Sequence, residues 1–596
     1  MNGASDPCRL YGTAVPAEPF RVLRAGLLTA RLEAGNLRHI HYGDTEIIRA
    51  ISYVVRDRDW GTLAPVIRDL SVLEDNERFS VSYRGECHGP GATLLYRAKI
   101  EGDANGRLSF SVEAMPDGDF ETNRCGFTVL HPIGGVSGEA VRVEHCDGVV
   151  EAAAFPDLIE PWQPFKDIRA LTHFPEGLSV DCRMEGDAFE MEDQRNWSDA
   201  SYKTYVRPLA RPWPYVMPAG IADRQSVTLS VRAARNAPSP APPCDDSLAG
   251  DLRMPKIGLV IAPEEASDAL AAIDTLRAVA PQVILCHFDR MAGHGQDALD
   301  AFAALQRAYP ADYELECILA ANGDLDEELG GVAAMVRAAG LTLDAVFVCP
   351  SVDRQSTPPG SRWPACPPLA DIYSAARRAF PHVTLGGGMA SYFTELNRKR
   401  PPLDLIDFVT HGTAPIVHAA DDISVMETLE ALAHITRSVR AFAGRDMDYR
   451  LGPTTIAMRQ NPYGSRTMDN PDGERICMAH DDPRQRGLFA AAWTAGYAAA
   501  IADAGITRWV PAAFTGPRGI LAAQGGLLPI GEVIATLAGL SGKRLTARSL
   551  DRRRATLSVK TDDGPAVLLV NLTAAPIDID EPTCRLGPFA VRLISP

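Results

Sequence analysis

The sequence predicts three domains in line: an N-terminal antiparallel β-sandwich (1–240), a central (β/α)8 TIM barrel (250–541) and a small C-terminal β-sandwich (542–596). Three observations carry this. Hydrophobicity alternates with a period of two up to about residue 235. Eight short apolar runs, most of them followed by a helical stretch, come next. The last 50 residues then return to strands.

In the first region Phe79, Val81 and Tyr83 alternate with polar residues, as do Leu108, Phe110 and Val112, then Leu178, Val180, Cys182 and Met184, then Val227, Leu229 and Val231. Turn signals (Asp103–Gly106, Asp117–Gly118, Glu185–Gly186) separate these runs, which is the pattern of a sandwich. The region ends in NAPSPAPPCDD, whose prolines predict a stiff linker. The barrel runs are KIGLVIA (256–262), VILCHF (283–288), LECILA (315–320), AVFVCP (345–350), VTLGGG (383–388), DFVTHG (407–412), TTIAMRQ (454–460) and RWVPAAF (508–514). Helical patterns are clearest at 265–279, 325–339, 421–443 and 484–503, and Ile530–Leu540 would close the ring. The fifth crossover, SYFTELNRKRPPLD, is short and irregular. At the end, ATLSVKTDDGPAVLLVNLT predicts a hairpin with Asp-Asp-Gly at its tip, and PFAVRLI one more strand.

The 596 residues are 46% hydrophobic and 23% charged, the composition of a globular chain with a deep core. A formal net charge of −17 argues against nucleic-acid binding and against docking on an anionic membrane. MNGASDPCRLYGTAVPAEPF has no basic start followed by an apolar stretch, and no uncharged apolar run approaches the roughly 20 residues that span a bilayer. Twelve cysteines occur singly with no C-x-x-C pair, so a reduced, cytoplasmic protein is expected.

In a barrel of this kind function belongs at the C-terminal strand ends. The second run ends in His287-Phe288-Asp289, the fourth in Ser351-Val352-Asp353-Arg354, and the seventh in Arg459-Gln460-Asn461. The fifth and sixth give the densest cluster. Gly386-Gly387-Gly388 allows a ligand or another backbone close. Glu395, Asn397 and Arg398 then supply a proton acceptor, an amide and a cation, and His411 and His418 titrate near neutrality. The plainer reading is a solvated loop in which Asp421 or Asp422 caps a helix. His411, His418 and Asp421 also form an imidazole–carboxylate set of the kind that binds zinc or manganese, but their spacing matches no recognised pattern, and no metal or cofactor is assigned. The glutamate pair of common glycosidase barrels, at strands 4 and 7, is missing. In the first domain, 189–205 mixes acids, amides, Arg, Lys and aromatics without a clean period, which fits either a polyol site or a charged sandwich edge packed on the barrel.

FEMEDQRNWSDASYKTYVRPL, YFTELNRKRPP and DFVTHGTAPIVHAADD, in this order, resemble the D-apionate lactonase family over essentially the whole chain. The resemblance implies hydrolysis of D-apionolactone to D-apionate in apiose catabolism, with a small sugar lactone as partner. Lactone opening needs a base for water, stabilisation of an oxyanion and an acid for the leaving alkoxide. The residues themselves point to Glu395 as base, His411 or His418 as acid, and Arg398 or Arg459 at the oxyanion. Asp289, Asn397, Asn461 and the segment holding Glu192, Asp193 and Arg195 would hold substrate hydroxyls. No Gly-x-Ser-x-Gly elbow is present. The competing readings are a glycoside hydrolase for an apiose- or pentose-containing sugar and a non-catalytic carbohydrate-binding protein.

Overall fold

The computed structural model describes residues 6–58, 60–233, 247–248, 250–579 and 583–595, so the expected proline linker lies outside the described residues. The sandwich pairs a seven-stranded with a nine-stranded antiparallel sheet. In the seven-stranded sheet Thr45–Arg56, Arg124–Pro132, Ser201–Tyr205 and Glu190–Asp193 lie side by side. Alternation sends Ile51, Tyr53, Val55, Cys125, Phe127, Val129, Met191 and Tyr202 into the core between the sheets, where Phe110 and Phe127 meet edge-on at 4.9 Å. The same period sends Ser52, Val54, Arg56, Arg124, Thr128, Leu130 and Lys203 to the other face, which looks toward the barrel.

Eight parallel strands close the barrel: β1 (Lys256–Ile261), β2 (Val283–Asp289), β3 (Asp312–Leu319), β4 (Ala345–Pro350), β5 (Thr384–Tyr392), β6 (Phe408–Thr413), β7 (Asp448–Thr454) and β8 (Arg508–Ala513). The seventh differs from the sequence expectation of 454–460. Its third residue, Arg450, points into the barrel and breaks the apolar run. Glu314 accepts from Arg450 Nη1 at 2.9 Å and from Arg508 Nη1 at 2.5 Å, while the Arg450 guanidinium lies 3.7 Å over the Phe408 ring. The apolar stretch after Thr454 is buried irregular chain. The glycines of β5 serve the barrel wall: a Cβ on Gly386 would lie 2.1 Å from the Phe408 ring, and one on Gly388 (φ +128°) 2.1 Å from the Thr410 carbonyl. The short fifth crossover is a six-residue helix, Phe393–Arg398.

The helix Leu488–Ala500 is buried almost all round, because the barrel lies on one side and the C-terminal strands Arg544–Leu550, Arg554–Thr561 and Gly564–Asn571 on the other. The short helix Pro7–Tyr11 precedes the sandwich but packs here too, with Tyr11 5.4 Å from Phe589 and 6.1 Å from Phe489. Among the described residues no helix is long and apolar enough to cross a membrane.

Removing one partner of a buried ionic cluster leaves uncompensated charge, which costs about 3–5 kcal/mol. Glu314→Ala is therefore expected to lower the urea midpoint steeply, whereas Arg466→Ala, which breaks an exposed pair with Asp469, should cost no more than about 1 kcal/mol. Equal midpoints for the two variants would contradict this account of the barrel base.

Candidate functional site

The segment 190–205 is a hairpin whose ends are strands and whose tip is a 3-10 turn, Gln194–Trp197. Asp193 and Arg195 fix that tip. Arg195 Nε donates to Asp193 Oδ1 at 2.9 Å and Nη2 to Oδ2 at 2.7 Å, with neither side chain exposed. The remaining guanidinium hydrogens reach the Pro156 and Asp157 carbonyls, Ser137 and, on the barrel helix Asp422–Ala443, His434. Asn196 and Asn397 then link tip to barrel: Asn397 Nδ2 donates to Asn196 Oδ1 at 3.0 Å and to the Ile159 carbonyl at 2.9 Å. Asp193, Arg195 and Asn397, expected at substrate hydroxyls, are spent on docking the two domains.

Between the outer face of the seven-stranded sheet and the loop after β6 lies a cleft of about 330 Å³. Its sandwich wall carries Arg56, Arg124, Ser201 and Lys203, and its barrel wall His418, Asp421 and Glu427. Two acid–base pairs meet here. His418 Nδ1 lies 2.7 Å from Asp199 Oδ2. A carboxylate only accepts, so Nδ1 carries a proton, and in the neutral ring the lone pair is on Nε2. The ring stands edge-on to Trp197, centroids 5.7 Å apart. The second pair follows from register: Glu192 and Lys203 face each other across the hairpin, Nζ to Oε2 2.6 Å. Trp197 Nε1 donates to the other Glu192 oxygen at 3.2 Å. Burial alone would raise the Glu192 carboxyl, but Lys203, His418 and Arg398 outweigh it and hold it at about 2. Burial lowers the Lys203 ammonium against the pull of Glu192, and Arg124 and Arg56 lower it further.

The other expected residues lie elsewhere. Glu395 is buried and bound by Arg398 at 3.1 Å, and burial raises its carboxyl. Arg398 donates through Nε to the Pro161 carbonyl and through Nη1 to Glu395, Ser356 and the Thr357 carbonyl. His411 stands on the outer side of β6, since Phe408 and Thr410 take the inner positions. It is fully buried, bonded to Tyr449 Oη at 2.7 Å and held at about 4 by burial. His411 thus cannot join His418 and Asp421 around one ion. Asp421 caps the helix Asp422–Ala443 through the Ile423 and Ser424 amides and pairs with Arg38. Among the described residues Asn461 bonds only within its own loop.

Asp289 and Arg459 belong to a separate cluster at the barrel axis. Asp289 is paired with Arg354. Arg459 binds Glu316 on β3, whose other partner is His287 Nδ1 at 2.6 Å. Burial raises Glu316, but Arg459 and the bond from His287 together hold it at about 2. Sequence reasoning passed over Arg56, Arg124 and Glu316, and named His287 at a strand end without giving it a role. Charged residues in phase with the outward positions of a core strand, as in Ser52-x-Val54-x-Arg56, are the signal that would have found the first two.

Burial of His411 and His173 leaves both near 4 in the fold, against about 6.5 when exposed. The unfolded chain then binds more protons between these values, so stability falls as pH drops from about 6.5 to about 4 and levels off below. The loss is on the order of 3 kcal/mol per group. Urea midpoints measured across that range should fall with acid, with a shallower slope in His411→Asn; a flat profile would contradict neutral burial.

Known proteins resemble this chain as follows. Residues 8–234 match the family described as D-apionate lactonase, N-terminal domain, and residues 257–542 its TIM barrel domain. A D-apionate lactonase of Brucella anthropi is 51% identical over 98% of each chain. Among solved structures, a GH30 endoxylanase from Clostridium papyrosolvens is 9% identical, covering 56% of this chain and 84% of its own, with a TM-score of 0.36. A β-glucuronidase from Ruminococcus gnavus is 9% identical, covering 80% and 68%, with a TM-score of 0.30. Likenesses that distant carry no argument about chemistry.

Proposed function

Because the chain belongs to the D-apionate lactonase family and is a lactone hydrolase, we propose that it opens D-apionolactone to D-apionate in the cleft between sandwich and barrel. One observation carries the placement: one cavity large enough for a five-carbon lactone is lined by a histidine–carboxylate pair and by the lysine of a lysine–carboxylate pair.

The chemistry follows from those pairs. His418 Nε2 takes a proton from water as its oxygen bonds to the lactone carbonyl carbon, and Asp199 stabilises the imidazolium that forms. The cations of the sandwich wall face the oxyanion. As the intermediate collapses, the bond from the carbonyl carbon to the ring oxygen breaks and Lys203 Nζ protonates the departing alkoxide. A lowered lysine is the better acid for this step. The new carboxylic acid ionises, so each turnover releases one proton, and transfer from His418 by way of solvent restores Lys203. The pairing of His418 with Asp199, and the burial of Glu395 against Arg398, support His418 rather than Glu395 as the base. Eleven described cysteines without a disulfide support a cytoplasmic site of action.

A second reading has one observation in its favour: His287, held by buried Glu316 beside Arg459, is also an oriented base. Proton release from D-apionolactone in weak buffer, above the spontaneous rate, separates the two. His418→Asn and Lys203→Met should each lower kcat/KM by about 10²–10⁴, with aryl glycosides untouched. His287→Asn should retain turnover per folded molecule; loss there, with His418→Asn active, would move the chemistry to the barrel axis.

A further inference from the structure

Facing the oxyanion does not account for how Arg124 is housed, because this cleft cation has no counter-charge of its own. It is 7% exposed, its guanidinium lies 4.0 Å over the Tyr205 ring and 5.3 Å from that of Trp60, and its buried Nε has no partner. Among the described residues it forms no ion pair and no side-chain hydrogen bond. A buried charge left so is costly unless something else neutralises it. The neighbouring groups do not. Arg56, opposite Arg124 in the ladder, adds a second cation and donates only to the neutral Trp60 carbonyl at 2.9 Å. Glu192 is taken by Lys203, and Glu190 by the Tyr205 hydroxyl (2.6 Å) and the Leu209 amide (2.7 Å). On the barrel wall Asp421 and Glu427 are already paired with Arg38. The cleft is thus polarised, with unspent positive charge at its sandwich end.

We propose that Arg124, with Arg56 beside it, forms a carboxylate subsite that captures the ring-opened sugar acid, so that free aldonates occupy the cleft and compete with lactone whereas neutral polyols of the same length do not. This rests on placing the reaction in the cleft. A planar guanidinium backed by an aromatic ring presents a two-pronged edge to a carboxylate, and a lactone carbonyl offers a single oxygen. The subsite therefore favours the product over the substrate and makes the enzyme sensitive to its own acid.

The test is calorimetric titration of the wild-type protein with D-gluconate and D-ribonate against glucitol and ribitol, alongside competition in the lactone assay. Aldonates are expected to bind at least tenfold more tightly than the matched polyols and to compete with lactone. Arg124→Gln, shown folded by its urea midpoint, should bring the two classes level. If that variant does not fold, Arg56→Gln should narrow the gap instead. Equal binding of acids and polyols by the wild type, or an aldonate preference that survives substitution of Arg124, overturns the subsite. Titration needs no turnover, so the failures are distinguishable. Aldonate binding lost with Arg124 but no lactonase loss in His418→Asn would overturn only the catalytic placement; lactonase activity without acid preference would overturn only the subsite.

Discussion

The buried pair of Asp193 and Arg195 is the interaction on which the cleft depends. Both side chains are wholly removed from water, so the two charges must be satisfied by protein groups at every position. Burial pushes Asp193 up and Arg195 holds it down against that. In meeting this requirement the arginine ties the hairpin tip to the carbonyls of 156 and 157 and to a barrel helix. The tip then presents Trp197 and Asp199 to His418, and the register of the hairpin behind it sets Glu192 against Lys203. Geometry at the proposed reacting groups is inherited from a bond outside the cleft.

The same economy shows in how charge is distributed. The barrel uses ionic clusters as internal struts, at Glu314 near its base and at Glu316 near its mouth, and each is closed by arginine on the spot. The cleft differs because its pairs are closed on one side only. His418 has one ring nitrogen engaged by protein and the other free. That difference sets the two pairs proposed to act on substrate apart from the ion pairs that are structural, more than any difference in residue type.

The architecture was legible from the sequence because alternation and apolar runs report directly on which side of a strand is buried. Seven barrel strands lie where those runs are. β7 is displaced because Arg450 sits inside the barrel, and a charged interior residue reads as exposed until its partners on β3 and β8 are known. The site was less legible for the same reason. Glu395, Asn397, Arg398 and His411 are the right residue types near strand ends, but only the fold shows Glu395 bound by Arg398 and His411 turned outward on β6. His418 and Glu192 stood in the expected set and do line or border the cleft, whereas Asp199, which orients His418, lies 219 residues away in sequence and carries no signal of its own. Arg56 and Arg124 look like surface positions of a sandwich, because nothing local announces that a second domain covers that face.

The helix Pro7–Tyr11 has a consequence for synthesis. It is among the first described parts of the chain to be made, yet the aromatic groove that holds Tyr11 is completed by Phe589. At about 5–20 residues per second on the ribosome, the helix waits on the order of a minute for its seat. All strands of the sandwich are made in that interval, and the barrel after them. A segment made before the sandwich thus settles after it, and acts as a clasp fastened across the barrel and the C-terminal strands only once Phe589 has been made.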